Sequence, residues 1–199
     1  MRHLAATVFT LPAYAGFFTP IGGMMATLQE FSYIGKGIVT LIDGAVETPL
    51  GNCSSLGIKM TVDEKKLANY KTAGGGNQNT VFRISDASAE MDLREFSAAN
   101  LALATSGAAT IDQATGIVTV EALTQVGKEF GLRFDGLNEA QSGASVVITI
   151  YRLKVSPADS LDLIGDDFAT LKVKGAILAD STKPAGKSQY FKAVMATKV

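Results

Sequence analysis

The sequence contains no tryptophan, one cysteine and one histidine in 199 residues. Zinc sites of the Cys/His type, thiol redox pairs and intrachain disulfides each need more such residues, so these are excluded. Mechanisms in which histidine carries the proton have His3 as their single candidate. This scarcity predicts that the chain is not an enzyme and that it uses no cofactor and no metal.

Basic residues are also too few and too dispersed for a protein that grips nucleic acid. Lys and Arg total 18 against 19 Asp and Glu, which gives a formal net charge of −1. Proteins that hold DNA place clustered Lys and Arg against its phosphates, and no five-residue window here is dominated by basic residues. DNA that meets this protein is therefore expected to pass without specific binding.

Proline is infrequent, at 5 residues, whereas glycine reaches 20 and apolar residues make up 47 % of the chain. This mixture is typical of many short strands joined by Gly-rich turns. The length suits one domain with a sizeable core. We therefore predict a single mainly β domain, a β-sandwich or barrel, over residues 25–199.

Residues 1–24 are apolar apart from Arg2 and His3, and three interpretations of them stay open. A basic start, an apolar run and Ala13-Tyr14-Ala15 have the outline of a signal peptide. A second interpretation is that translation is initiated at Met24 or Met25, because the codons for the preceding Ile-Gly-Gly can contain a ribosome-binding sequence. The third interpretation is a genuine N-terminal arm. Two prolines and the short length exclude a transmembrane helix.

From Phe31 onward, apolar and polar residues alternate with period two, which indicates half-buried strands. Strands are predicted at 38–42, 56–62, 81–93, 116–122, 130–134, 146–155, 169–177 and 189–196. Asp43-Gly44 predicts a hairpin turn, and a change of phase near Ser85 and Asp86 predicts a bulge. In the strand at 146–155 one face is predicted to carry Val147, Thr149, Tyr151, Leu153 and Val155.

One short helix is predicted at residues 97–104, with Ser97 as its N-cap and Ala and Leu as helix formers. A helix of this length must dock on a sheet to persist.

The most polar part of the chain, residues 63–80, is predicted to be the projecting tip of a long hairpin that becomes ordered against a neighbour. The residues expected to make this contact are Lys71, Thr72, Ala73, Gly74, Gly75, Gly76, Asn77, Gln78, Asn79 and Thr80.

Other residue groups match chemical motifs only loosely. The three glycines of the tip lack the Lys-Ser or Lys-Thr and the helix of a phosphate-binding loop, so a flexible tip is favoured. Cys53 is interpreted as a small buried or interface residue rather than a nucleophile. Two groups of acidic residues could in principle form a site, but we interpret both as having no chemical role. A calcium site is not favoured at Asp159, Asp162, Asp166 and Asp167, because their spacing matches no EF-hand loop and Leu161, Leu163 and Ile164 between them are expected to be packed. A catalytic carboxylate pair is not favoured among Asp86, Glu90, Asp92 and Glu95.

The order of several segments resembles the major tail tube proteins of long-tailed, siphophage-type bacteriophages. The segments are FSYIGKGIVTLID, then LGNCSSLGIKMTVDEKKLANYKTAGGG, then AEMDLREFSAANLALATSG, and finally SGASVVITIYRLKVSPADSLDLIGDDFATLKVKG. The resemblance spans about residues 31–199 and rests on the order of the motifs, since each motif alone is weak.

This resemblance implies a β-sandwich with one short flanking helix and a long projecting hairpin, assembled into stacked hexameric rings that form a tube for DNA ejection. It implies a structural virion protein, assembled in the host cytoplasm, with tape measure, tail terminator and distal tail proteins as neighbours and with no membrane. Glu90 and Asp92, which share one strand face, become candidates for lining the lumen. The alternatives are a secreted β-sandwich binding module or adhesin, or the inner tube of a contractile injection system.

Overall fold

The computed structural model describes residues 32–141 and 143–196, and the three interpretations of residues 1–24 lie outside this range. The mainly β class with one short helix is confirmed. The elements are β1 (Gly35–Asp43), β2 (Val46–Pro49), β3 (Cys53–Ala68), β4 (Asn77–Leu93), α1 (Ala98–Ala104), β5 (Ala108–Ile111), β6 (Val118–Glu121), β7 (Glu129–Asn138), a 3₁₀ turn (Glu139–Gln141), β8 (Ala144–Ser156), β9 (Leu171–Ile177) and β10 (Phe191–Met195).

Eight of these strands form one antiparallel sheet in the order β2-β1-β7-β8-β9-β4-β3, with β10 also paired to β8. Strands β5 and β6 form a separate hairpin. The predicted turn at Asp43-Gly44 joins β1 to β2, and Gly44 has the positive φ of 61° that such a tight turn requires. Strands β2 and β5 were not predicted, because neither VETP nor AATI alternates apolar with polar residues.

Strand β8 changes partners along its length and so joins the two halves of the sheet. Its residues 146–150 pair with β10, whereas residues 153–156 pair with β9. Between these stretches, Tyr151 and Arg152 lie opposite the single residue Gly131 of β7, which is a β-bulge.

The bulge interrupts the predicted face of β8: Leu153 and Val155 are buried together as predicted, but Val147, Thr149 and Tyr151 do not share their facing. Ile150 and Leu153 are both buried, although they have opposite parity in the sequence, while Val147, Thr149 and Tyr151 are only half-buried. Because the bulge adds one residue to β8, the inward-facing positions change parity there.

The core lies on the inward face of the sheet, to which β1, β4, β7, β8 and β9 contribute buried residues, and α1 packs against it through Leu103 and Ala104. Strand β9 alternates buried and exposed residues without interruption. At the inward position of Gly175 a Cβ atom would lie 2.9 Å from Leu153 Cδ1, so glycine is required by close packing. The buried apolar residues of this cluster are Val39, Leu50, Ala87, Ala89, Met91, Leu93, Leu103, Ala104, Leu132, Ile150, Leu153, Val155, Leu171, Val173 and Ile177.

Helix α1 is fixed at its N-terminus by the predicted cap. The Ser97 hydroxyl accepts a hydrogen bond from the backbone N–H of Asn100 at 3.2 Å. The Asn100 side chain, 1 % exposed, donates to the carbonyl oxygens of Leu50, at 2.9 Å, and Glu95, at 2.8 Å. These bonds hold the helix against the connection from β2 to β3.

Candidate assembly surface

The hairpin of β3 and β4 extends well beyond the rest of the sheet. Strand β4 pairs with β9 only from Ser88 to Leu93, so residues 60–87, which we call the arm, pair only with each other in the described part of the chain. Residues 77–87 of β4 give the arm a length of roughly 35 Å at about 3.3 Å per residue. An isolated two-stranded hairpin is marginally stable in water, so such an arm is expected to gain stability from a partner.

One face of the arm is apolar and continues the inward face of the sheet. Met60 lies opposite Ala87, and Val62 lies opposite Ile84. Phe82 follows on the same face two residues from Ile84. Met60 is 63 % and Phe82 65 % exposed, and the other two large side chains are more than half exposed. The apolar face, defined by Met60, Val62, Phe82 and Ile84, is therefore solvent-exposed in a single copy.

The predicted bulge near Ser85 is confirmed, and it creates this face. Thr61 pairs with Asp86 while Val62 pairs with Ile84, so Ser85 is the extra residue. Without the bulge, strict alternation would place Ile84 on the opposite side from Ala87. The bulge thus keeps the apolar residues of the arm in line with the core residues of β4.

The opposite face of the arm is mainly polar. Asp63 lies directly across from Arg83, and Thr61 lies across from Asp86. The arm is therefore amphipathic, although it has solvent on both sides in one copy.

The predicted contact residues occupy the distal end of the arm, but the loop is shorter than predicted. Residues 69–76 form the turn, closed by a hydrogen bond of 2.8 Å from Asn69 N–H to the Gly76 carbonyl. Gly74, Gly75 and Gly76 all have positive φ, at 115°, 73° and 97°. The predicted loop residues Asn77, Gln78, Asn79 and Thr80 belong to β4 instead, because cross-strand hydrogen bonds to β3 order a polar sequence that carries no apolar signal.

Glu90 lies on the solvent face of β4, between strands that carry lysines. Its carboxylate lies 2.6 Å from Lys59 Nζ on β3 and 3.5 Å from Lys174 Nζ on β9. The hydrogen bond from Lys59 is the main reason that the pKa of Glu90 is below its ordinary value.

Asp92 shares this face and accepts a hydrogen bond of 2.9 Å from the Ser55 hydroxyl. Lys172 lies directly across from it on β9. The face therefore carries three lysines beside its two carboxylates, an excess of one positive charge. That Glu90 and Asp92 line a channel stays a prediction.

The remaining carboxylates weighed for catalysis are bound to separate structural partners. Glu95 accepts a 2.7 Å hydrogen bond from the backbone N–H of Asn52, and Asp86 belongs to the arm. Cys53 is half-buried, its thiol donates to the Ser55 carbonyl at 3.0 Å, and burial raises its pKa. A raised pKa disfavours the thiolate, as expected for a structural cysteine.

The connection from β8 to β9, residues 157–170, which we call the β8–β9 segment, differs from its prediction. Leu163 and Ile164 were expected to be packed, but they are 71 % and 98 % exposed, and Phe168 is 92 % exposed. Ala158 and Leu161 pack partly against the core. Within residues 32–141 and 143–196, no three Cys, Asp or Glu side chains converge as a metal site would require.

A groove of about 720 Å³ lies beside the base of the arm, between β1 and β3. Its lining includes Leu56 and Ile58 of β3, Phe134 of β7 and Ile148 of β8. Leu56 and Ile58 have the same facing as Met60 and Val62, so the groove and the apolar face are continuous.

A family model described as protein of unknown function UCP028589 matches residues 32–122 and 113–194. The chain belongs to this family. The matched residues include the arm, α1 and the β8–β9 segment. No curated protein matches the sequence. The helix of the described structure is too short to cross a membrane.

Sequence reasoning located the arm but emphasised its polar tip rather than its apolar face. The alternation of Met60 with Val62, and of Phe82 with Ile84, was visible as strand patterning. What the pattern did not show is that β4 pairs with β9 only as far as Ser88, so that the hairpin beyond it projects from the sheet with these residues exposed.

Proposed function

We propose that this protein is a structural subunit that assembles with identical copies into rings, and that the rings stack into a tube of the phage tail tube type. In this role it catalyses no reaction, and DNA passes through the lumen during ejection. Its place would be the virion tail, next to the tape measure, tail terminator and distal tail proteins.

The apolar face of the arm is the observation that carries this proposal. Four large apolar side chains continue the inward face of the sheet for roughly 13 Å, at about 3.3 Å per residue from Met60 to the level of Phe82, and they are exposed in the described chain. Contiguous exposed apolar surface of this kind marks an interaction site. Because the arm is built on a long regular hairpin, it can present this surface to a neighbouring copy without reorganising the core.

The edges of the sheet supply a second argument. Strand β3 forms one edge, and over its 16 residues it pairs only with β4 in the described chain. A long edge strand is a template for pairing with another chain, and closure of a ring removes such edges. The opposite edge is β2, with four residues.

The charge of the chain agrees with passage of DNA rather than retention. The net charge is −1, and both carboxylates of the solvent face around Glu90 lie beside lysines, three lysines in all. A chain without net positive charge would form few lasting contacts with phosphates.

Negative-stain electron microscopy of the purified full chain over a concentration series tests the proposal. We expect rings or hollow rods that become more frequent as the concentration rises. A protein that stays monomeric at every concentration and salt condition would contradict the proposal.

A further inference from the structure

Resting on the proposed tube, we propose that the basic tip of the arm of one copy docks on the exposed β8–β9 segment of a second copy. Every copy carries both surfaces, and the contact joins the tip of one copy to the different surface of the next. The contact is therefore head to tail. A head-to-tail contact that does not close on itself generates a filament, which a stack of rings requires.

The two surfaces lie at opposite ends of the sheet. Strand β9 starts at Leu171, opposite Leu93, and runs towards Ala176, opposite Ser88. The arm leaves the sheet beyond Ser88, whereas the β8–β9 segment ends immediately before Leu171. A hydrogen bond of 2.6 Å from Arg94 to the Thr170 hydroxyl holds the end of the segment at this position.

Both surfaces expose large apolar side chains. In the β8–β9 segment Ile164 and Phe168 are almost fully exposed. At the arm tip Tyr70 is 88 % exposed, and Leu67 is also exposed. Clustered exposure of this kind, at two places on one chain, is expected where each covers the other.

The charges of the two surfaces are complementary. Residues 65–80 of the arm contain three lysines and no acidic residue, and one of the three, Lys66, is paired with Glu64 at 3.0 Å, which leaves Lys65 and Lys71 as the charges available to a partner. Residues 157–170 contain four aspartates and no basic residue. Complementary charge steers encounter and fixes orientation, and it disfavours tip-to-tip and segment-to-segment contacts. The second copy is therefore the occupant that the chemistry of both surfaces selects.

A charge-swap experiment tests this contact. The tip variant carries Lys65→Glu with Lys71→Glu, and the segment variant carries Asp162→Lys with Asp166→Lys; all four side chains are exposed. Each variant alone should elongate on the order of tenfold more slowly or not at all, because like charges then meet. When the two variants are mixed, the Glu tip meets the Lys segment and the original tip meets the original segment, so rods should return.

Three controls accompany the swap. Circular dichroism and thermal unfolding should show that both variants are folded. Lys187→Glu reverses the charge of one lysine, as Lys71→Glu does, but Lys187 lies in a turn outside both surfaces. This control variant should leave elongation unchanged. Ile164→Ser should slow elongation, whereas Val126→Ser, at a 63 % exposed loop residue, should not.

The outcomes separate this inference from the proposed function. If the unmodified protein forms rods while either charge-reversed variant elongates normally, or the mixture fails to recover, the docking contact is wrong and the tube proposal stands. If the unmodified protein forms no rods at all, the tube proposal itself fails.

Discussion

Asn100 is the buried polar residue that most directly ties one part of the fold to another. Its amide donates to two backbone carbonyls, one on the β2–β3 connection and one just before α1. Truncation would leave both carbonyls without this donor in a site from which water is excluded. A buried group that loses its partner typically costs about 1–3 kcal/mol.

We therefore expect Asn100→Ala to lower the free energy of unfolding by about 1–3 kcal/mol. Urea denaturation of dilute protein, followed by circular dichroism, measures the change. Asn52→Ala is the matched control, because Asn52 is exposed and should change stability by less than about 0.5 kcal/mol. Equal stability of the two variants would show that the Asn100 bonds do not hold the helix in place.

Glu90 gives a pH dependence whose sign follows from its lowered pKa. A carboxylate with a lowered folded-state pKa contributes stability that is complete above the ordinary value of about 4.3 and is lost as the pH falls through the lowered pKa. The contribution comes from the ion pairs with Lys59 and Lys174.

Glu90→Gln should therefore melt below the unmodified protein at pH 7, and the difference should disappear as the pH falls through the lowered pKa of Glu90. The effect is expected to be small, since all three side chains are exposed to solvent. Thermal melts of dilute protein between pH 3 and 7 measure it. A difference that is constant with pH would mean that charge at Glu90 is not responsible.

At the scale of elements, the two faces of the arm should contribute very differently to assembly. Val62→Thr with Phe82→Thr removes apolar surface from the apolar face while keeping residues that favour strands. We expect this variant to fold as a monomer and to need on the order of tenfold more protein to form rods, through lost burial of apolar area.

The matched control is Asp63→Thr with Arg83→Thr, which changes a directly opposed pair on the other face of the same two strands. Its rod formation, measured by sedimentation and electron microscopy, should stay close to that of the unmodified protein. If both variants assemble equally well, the apolar face is not an interface.

The elements also show what sequence patterns can and cannot predict. Strand β9 was predictable because every second residue from Leu171 to Ile177 faces the core. The facing of β8 was not, because its bulge depends on the position of Gly131 in a different strand. The sequence also predicted a loop at residues 77–80, where the structure has a strand. Their strand conformation comes from pairing with β3 and is not marked by apolar alternation.

The candidate site was only partly predictable. The bulge at Ser85 could be found from a change of phase, and the tip from its composition. The exposure of Ile164 could not be predicted. Ile164 lies in an irregular connection, where no periodic pattern shows whether an apolar residue is buried or exposed.

For the molecule as a whole, the central claim is that a surface left exposed in one copy is buried only between identical copies. The core accounts for the folding of the sheet and helix, and it leaves the arm and the β8–β9 segment uncovered at opposite ends. Such a subunit folds on its own but leaves apolar surface exposed until it assembles.

Hydrogen–deuterium exchange of the arm, compared between dilute protein and concentrated protein, tests this claim most directly. Amides of β3 and β4 within residues 60–87 should exchange rapidly in dilute protein, because the isolated hairpin opens locally. In concentrated protein they should become protected by at least tenfold, while the amides of β8 and β9 change little. Arm amides that exchange at the same rate at every concentration would contradict the account.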